Sequence, residues 1–187
     1  MNLANQLTML RFAMALAMFF ALIEPGAGFH LAAFGLFTLA MITDWIDGYV
    51  ARRYKTVSPF GKVADPIADK ILVLGALIGL IKCRIGVPLW GVFLIMAREL
   101  VIGGLRILAS AHGKVHAADR FGKWKMGIQS GCVLAMIGLV VLRERGLEPL
   151  PIQPSAYALT ALCVLMAWSS AYSYYRQSQK LLEKSWE

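Results

Sequence analysis

The run Asp44-Trp45-Ile46-Asp47-Gly48-Tyr49-Val50-Ala51-Arg52, answered by Gly61-Lys62-Val63-Ala64-Asp65-Pro66-Ile67-Ala68-Asp69, decides how the rest of the chain is read. Reduced to spacing it is Asp44-x2-Asp47-Gly48-x2-Ala51-Arg52-x8-Gly61-x3-Asp65-x3-Asp69. Four of the chain's 11 acidic residues fall inside it. Asp44 and Asp47 are three apart and Asp65 and Asp69 four apart, so on helices each pair shares one face. Both pairs border long apolar runs. Ionisable groups at such a boundary are costly, and they point to function.

Converging carboxylates repel one another. Two unit charges about 4 Å apart cost roughly 4 kcal/mol at an effective dielectric near 20. Such a cluster must take up protons or bind cations. Arg52, Arg53 and Lys70 offset some of the charge but present no oxygen ligands. Hard divalent cations suit an all-oxygen site, and a pair of them can clamp an in-line phosphoryl displacement. The plainer reading is four helix-end charges paired with nearby Lys and Arg. The small residues Gly48, Ala51 and Gly61 at fixed positions argue against it, because they let a ligand or a second helix approach the backbone.

The wider chain agrees with a membrane setting. Of its 187 residues 58% are hydrophobic, and the mean hydropathy is +0.62. That is too apolar for an ordinary soluble domain. The net charge of +8 fits cytoplasmic loops and anionic headgroups, not nucleic acid. Cys83, Cys132 and Cys163 are widely spaced, with neither a disulfide framework nor a zinc pattern. The first apolar run lacks a basic leader and a small-residue cleavage site, so it is expected to be a retained helix.

The fold expected is all-α: a polytopic integral membrane protein with six transmembrane helices around a polar cavity on the cytoplasmic side. Residues 1–187 form a single domain in this reading, at roughly 20 residues per span. The helices are predicted at about 7–23, 30–53, 59–81, 88–110, 122–142 and 155–175. Glu24-Pro25-Gly26 breaks the first from the second. Ser58-Pro59 reads as an N-cap followed by proline at the first helical position. Pro66 is expected to kink the third helix or leave a carbonyl unpaired. Arg98 and Glu99 lie deep in the fourth helix; as neighbours in sequence they are expected to point apart and need different partners. His112 and His116 fall in a solvated loop without a third metal ligand, and His30 is given no role. Gly122-Lys123-Trp124-Lys125 opens the fifth helix, whose positive N-terminal end suits an anionic phosphate. The tail, 176–187, is expected to be polar and surface-lying.

Orientation follows from charge asymmetry. Arg52, Arg53, Lys55 and Lys62 fall on one side, with Lys114, Arg120, Lys123 and Lys125, and with Arg176, Lys180 and Lys184 of the tail. The other side has Lys82, Arg84, Arg143 and Arg145. Both termini and the acidic cluster therefore face the cytoplasm.

The eight defined positions of the opening stretch resemble the signature of the CDP-alcohol phosphotransferases. Asn5-Gln6-Leu7-Thr8-Met9-Leu10-Arg11, Ala97-Arg98-Glu99-Leu100, Gly104-Leu105-Arg106 and Gly122-Lys123-Trp124-Lys125 with Gln129 are similar to stretches of the bacterial phosphatidylglycerophosphate synthase branch. The chain departs from that branch at Gly103, where serine is common, and at Met126, where threonine is usual.

The resemblance implies a bacterial inner-membrane enzyme, a homodimer, that transfers a phosphatidyl group from CDP-diacylglycerol to sn-glycerol 3-phosphate and releases CMP. It implies two Mg2+ or Mn2+ ions on Asp44, Asp47, Asp65 and Asp69, with Asp69 also the base. Gly48, Ala51, Arg52, Ser58 and Gly61 are implied as the CDP cradle. Arg98, Lys123 and Lys125, with Arg106 and Arg11 behind them, are expected at the acceptor phosphate. Rival readings are a family member using another alcohol and a divalent-cation carrier built on the same acids.

Overall fold

The computed structural model describes residues 3–54, 59–111, 120–147 and 151–185. These form six helices and, among the described residues, no strand: α1 (Leu3–Ile23), α2 (Ala27–Tyr54), α3 (Pro59–Lys82), α4 (Leu89–Ala111), α5 (Arg120–Glu144) and α6 (Ile152–Ser185). The order and number match the sequence reading, with ends shifted by a few residues.

α3 continues on both sides of Pro66, whose missing N–H removes one helical hydrogen bond. One local expectation is corrected. α6 does not stop at 175 but continues to Ser185, because 176–185 carries good helix formers and neither glycine nor proline. Pro154 is accommodated in the first turn of α6, where backbone N–H groups have no helical partner to lose.

Four stretches are long and apolar enough to cross a membrane: Gln6–Ile23, Ala27–Ile46, Met126–Glu144 and Ile152–Arg176. α3 and α4 are not among these stretches, and charge interrupts them at Asp65, Asp69 and Lys70 and at Arg98 and Glu99. The surface is inverted relative to a water-soluble protein. Trp45 (72% exposed), Leu89 (70%) and Leu165 (68%) face outward, while Arg11 (1%) and Arg98 (5%) are buried. Such a surface suits hydrocarbon, and the chain has the build of a multi-pass membrane protein.

Successive helices alternate in direction. α1 and α3 run parallel, as their contacts advance together: Thr8 meets Asp65, and Cys83 just beyond α3 meets Leu22. Lipid is as apolar as leucine, so close packing must hold the helices together. Gly79 provides it, since a Cβ there would fall 2.8 Å from Leu22 Cδ2. Gly91 does the same for α4 and α6, where a Cβ would lie 2.7 Å from Thr160 Cγ2. In the turn between α3 and α4, Gly86 has φ +99°, and a side chain there would strike the Gln153 backbone at 2.8 Å.

The apolar core fills one half of the bundle. Met18 and Leu22, Phe37, Leu77 and Leu80, Ile95, Met136 and Val140 meet there, fully buried. These positions are late in α1, α3 and α5 and early in α2 and α4, which is the same end in an alternating bundle. The other half is left to polar groups.

Candidate active site

That polar half is built by three helices converging on one guanidinium. Thr8 and Arg11 lie one turn apart on α1, on the face turned to α3. Thr8 Oγ1 donates to Asp65 Oδ1 at 2.6 Å. Arg11 Nη1 donates to Asp69 Oδ1 at 3.3 Å and pairs with Asp44 Oδ1 at 3.1 Å. The i, i+4 spacing of Asp65 and Asp69 thus meets the i, i+3 spacing of Thr8 and Arg11 rung for rung, and α2 adds Asp44 from the side. Desolvating a guanidinium is expensive, and Arg11 is tolerated because its charge is met by two carboxylates.

Sequence spacing grouped Asp44, Asp65 and Asp69; the structure brings Asp44 and Asp69 to Arg11 and Asp65 to Thr8. Arg11 was expected at an acceptor phosphate, and the structure brings it to the carboxylates. Thr8 carried no signal beyond lying one turn from Arg11. Gly61 is buried in the first turn of α3. The side chains of Asp47, Gly48, Ala51, Arg52, Arg106, Lys123 and Lys125, and the whole of Ser58, lie outside the described residues.

Among the described residues no three acidic, His or Cys side chains are near enough to cage an ion. Asp44 and Asp69 are held on one cationic nitrogen, and Asp65 is turned to Thr8. In donor chemistry the set nonetheless fits a hard divalent cation. It is made of carboxylate oxygens from two helices, two of them already converging on a positive charge.

A cavity of about 160 Å³ opens beside Asp69. Its wall takes Asp69, Lys70, Val73 and Leu74 from α3, Arg98 and Glu99 from α4, Met126, Gln129 and Ser130 from α5, and Ser170 from α6. Its volume is close to that of the engineered cavity of about 150 Å³ that takes up benzene, so it has room for a small molecule or part of a headgroup. Gln129 and Ser170 are buried polar side chains that sequence reasoning had not placed in a site.

Arg98 and Glu99 overturn the expectation that sequence neighbours must face apart. Arg98 Nη1 donates to Glu99 Oε1 at 2.8 Å. The remainder of the guanidinium reaches α6, with Nε donating to Ala167 O at 3.0 Å and Nη2 to Ser170 Oγ at 2.9 Å. The long arginine stem swings back alongside its neighbour, and the pair pins α4 to α6 at the cavity's edge.

A second polar cluster caps the opposite end. His30 Nδ1 lies 2.7 Å from Glu144 Oε1, and Nε2 lies 3.9 Å from Cys83 Sγ. Arg143 Nη2 donates to Cys83 O at 3.0 Å. His30, alone in the sequence, thus has partners from the α3–α4 turn and from the end of α5. All three cysteines are free thiols.

The family model described as CDP-alcohol phosphatidyltransferase matches residues 1–172. The chain is 35% identical to the CDP-diacylglycerol–glycerol-3-phosphate 3-phosphatidyltransferase of Bacillus subtilis over 158 residues, covering 84% of this chain and 75% of that protein. It is 38% identical over 177 residues to a probable phosphatidylglycerophosphate synthase of Mycobacterium tuberculosis, covering 92% and 79%. Against a CDP-diacylglycerol–glycerol-3-phosphate 3-phosphatidyltransferase of Rickettsia bellii it is 33% identical over 181 residues, covering 96% of both chains.

Proposed function

The chain belongs to the CDP-alcohol phosphatidyltransferase family, and from that premise we infer its reaction. It transfers the phosphatidyl group from CDP-diacylglycerol to sn-glycerol 3-phosphate, giving phosphatidylglycerophosphate and CMP in phospholipid biosynthesis. The names of its relatives supply the donor and the acceptor. The observation in this structure that carries the reading is the position of Asp69. It belongs both to the group of α2 and α3 carboxylates met by Arg11 and Thr8 of α1 and to the wall of the cavity. A carboxylate shared by a proposed cation site and a pocket is placed to take a proton from an alcohol bound in that pocket.

The step balances as a displacement at phosphorus. The acceptor hydroxyl oxygen forms a bond to the lipid-bearing phosphorus. The bond from that phosphorus to the bridging oxygen breaks, CMP leaves with the electron pair, and the hydroxyl proton passes to Asp69. Asp44, Asp47, Asp65 and Asp69 would hold two Mg2+ or Mn2+ ions, which when bound neutralise the donor's pyrophosphate. Thr8 holds Asp65 at one rotamer, and Arg11 keeps α2 and α3 at the spacing the cluster needs. We assign Arg11 to this cluster and not to the acceptor. Gly48, Ala51, Arg52, Ser58 and Gly61 are proposed as the CDP cradle. Lys123, Lys125 and Arg106 are proposed to face the acceptor's phosphate near Arg98.

All six helices are proposed to cross the bilayer. α4 supports this with an outward face of Leu89, Trp90, Phe93, Leu100 and Val101 despite its buried charges. The cavity and both termini are proposed to face the cytoplasm of a bacterial inner membrane, by the charge asymmetry of the loops. A homodimer is proposed from the family resemblance.

The test is CMP release by purified protein given CDP-diacylglycerol and a panel of glycerol 3-phosphate, inositol phosphate, serine and phosphatidylglycerol. Release with glycerol phosphate alone is expected. Release with a different acceptor only would reassign the alcohol, and no release with any acceptor would end the enzymatic reading.

A further inference from the structure

The cavity wall carries two described cations, and they are not equivalent. Arg98 is matched by the adjacent Glu99 carboxylate at 2.8 Å and is committed to α6 through Ala167 and Ser170. Lys70 is not matched. Its Nζ donates to the backbone carbonyl of Glu99 at 3.1 Å, and among the described residues no carboxylate lies within ion-pair distance of it. An ammonium has three N–H donors and a carbonyl takes one, so charge and donors remain for another partner.

The ammonium is also given room. Lys70 reaches from α3 across to α4 beside Gly103, where a Cβ would sit 2.7 Å from Nζ. Any side chain at 103 would have to push the ammonium aside. Lys70 follows Asp69 directly on α3, and both line the same cavity. The proposed base and an uncompensated cation thus stand on one wall of one small pocket.

We propose that Lys70 binds the phosphate of the acceptor, with Gly103 as the gap that sets where its ammonium stands. This rests on the glycerol phosphate reading above and deepens it. A phosphomonoester carries nearly two negative charges at neutral pH and accepts strong hydrogen bonds from an ammonium. Held by Lys70 at one end, it presents its hydroxyl toward Asp69 at the other. Arg98, already neutralised, fixes the α4–α6 wall against which this happens.

Lys70→Gln is expected to raise the KM for glycerol 3-phosphate about tenfold or more, the loss of one charge-assisted contact, while the KM for CDP-diacylglycerol moves little. Lys70→Arg should recover part of the loss. Gly103→Ala keeps the charge but displaces it, and should raise the acceptor KM by a smaller factor. Inorganic phosphate, used as a competitive inhibitor against the acceptor, should weaken in Lys70→Gln by a factor similar to the KM change. An acceptor KM unchanged in Lys70→Gln, or one that rises equally with the donor KM, overturns the proposal. Should Lys70→Gln not fold, an unchanged acceptor KM in Gly103→Ala overturns it instead. Wild-type turnover of glycerol phosphate upholds the reaction whatever the variants do, so the two readings fail separately.

Discussion

The two ends of the helix bundle are both tied together by buried polar groups, yet they are built on opposite principles. At one end His30 meets Glu144, Arg143 meets the Cys83 carbonyl, and the Cys83 thiol meets Leu22 O. The described groups there stand close to one another across three elements, although His30 Nδ1, 2.7 Å from Glu144 Oε1, makes no well-aligned hydrogen bond. At the other end three described carboxylates, Asp44, Asp65 and Asp69, share one arginine and one hydroxyl, and a cavity opens beside them. The first end serves as a latch between helices. The second gathers three described carboxylates beside a cavity, the setting in which carboxylates take up protons or bind cations.

Three substitutions test that contrast, in descending order of effect. Asp69→Asn removes the proposed base from the open end while keeping its size and a hydrogen-bonding oxygen. CMP release should fall by about 10²–10⁴-fold or more, with helix content and thermal stability near wild type. Turnover at the wild-type rate would take Asp69 out of the base role.

Arg11→Met asks what balances the carboxylates when no metal does. Stripping divalent ions should stop CMP release in the wild type, and Mg2+ or Mn2+ should restore it. In the variant, the metal-stripped protein should lose about 1–3 kcal/mol relative to wild type, discounted for the partial exposure of Asp44. The loss should be partly recovered when Mn2+ is added, read as a widened gap between the two melting temperatures. An unchanged gap would separate Arg11 from the cation site, and full activity after stripping would remove the metals from the reaction.

His30→Ala should have the smallest effect on chemistry. Stability should drop by about 1 kcal/mol as Glu144 loses its partner, while the KM for each substrate stays close to wild type. A marked change in either KM would show that the closed end communicates with the open one.

The spacing of the acids was enough to anticipate much of the open end. Asp65 and Asp69 share a face because helices have a period near 3.6, but the expectation that α2 and α3 pack as neighbours is corrected: among the described residues both pack on α1, which stands between them. The closed end was illegible. His30 and Glu144 are 114 positions apart, and nothing local in either stretch points to the other. Arg98 and Glu99 misled for a related reason, since backbone direction separates sequence neighbours but a long flexible stem can fold back across that separation.

The sequence alone settled the helical class, the number and order of the helices, the membrane setting and the family, because these rest on local period, composition and fixed short spacings. Only the tertiary structure decided which cation answers which acid. Arg11 went to Asp44 and Asp69, Arg98 was neutralised by Glu99, and Lys70 was left at the cavity wall. Charge pairing acts over a few ångströms of space, and the order of residues along a chain does not encode such distances until the helices have packed.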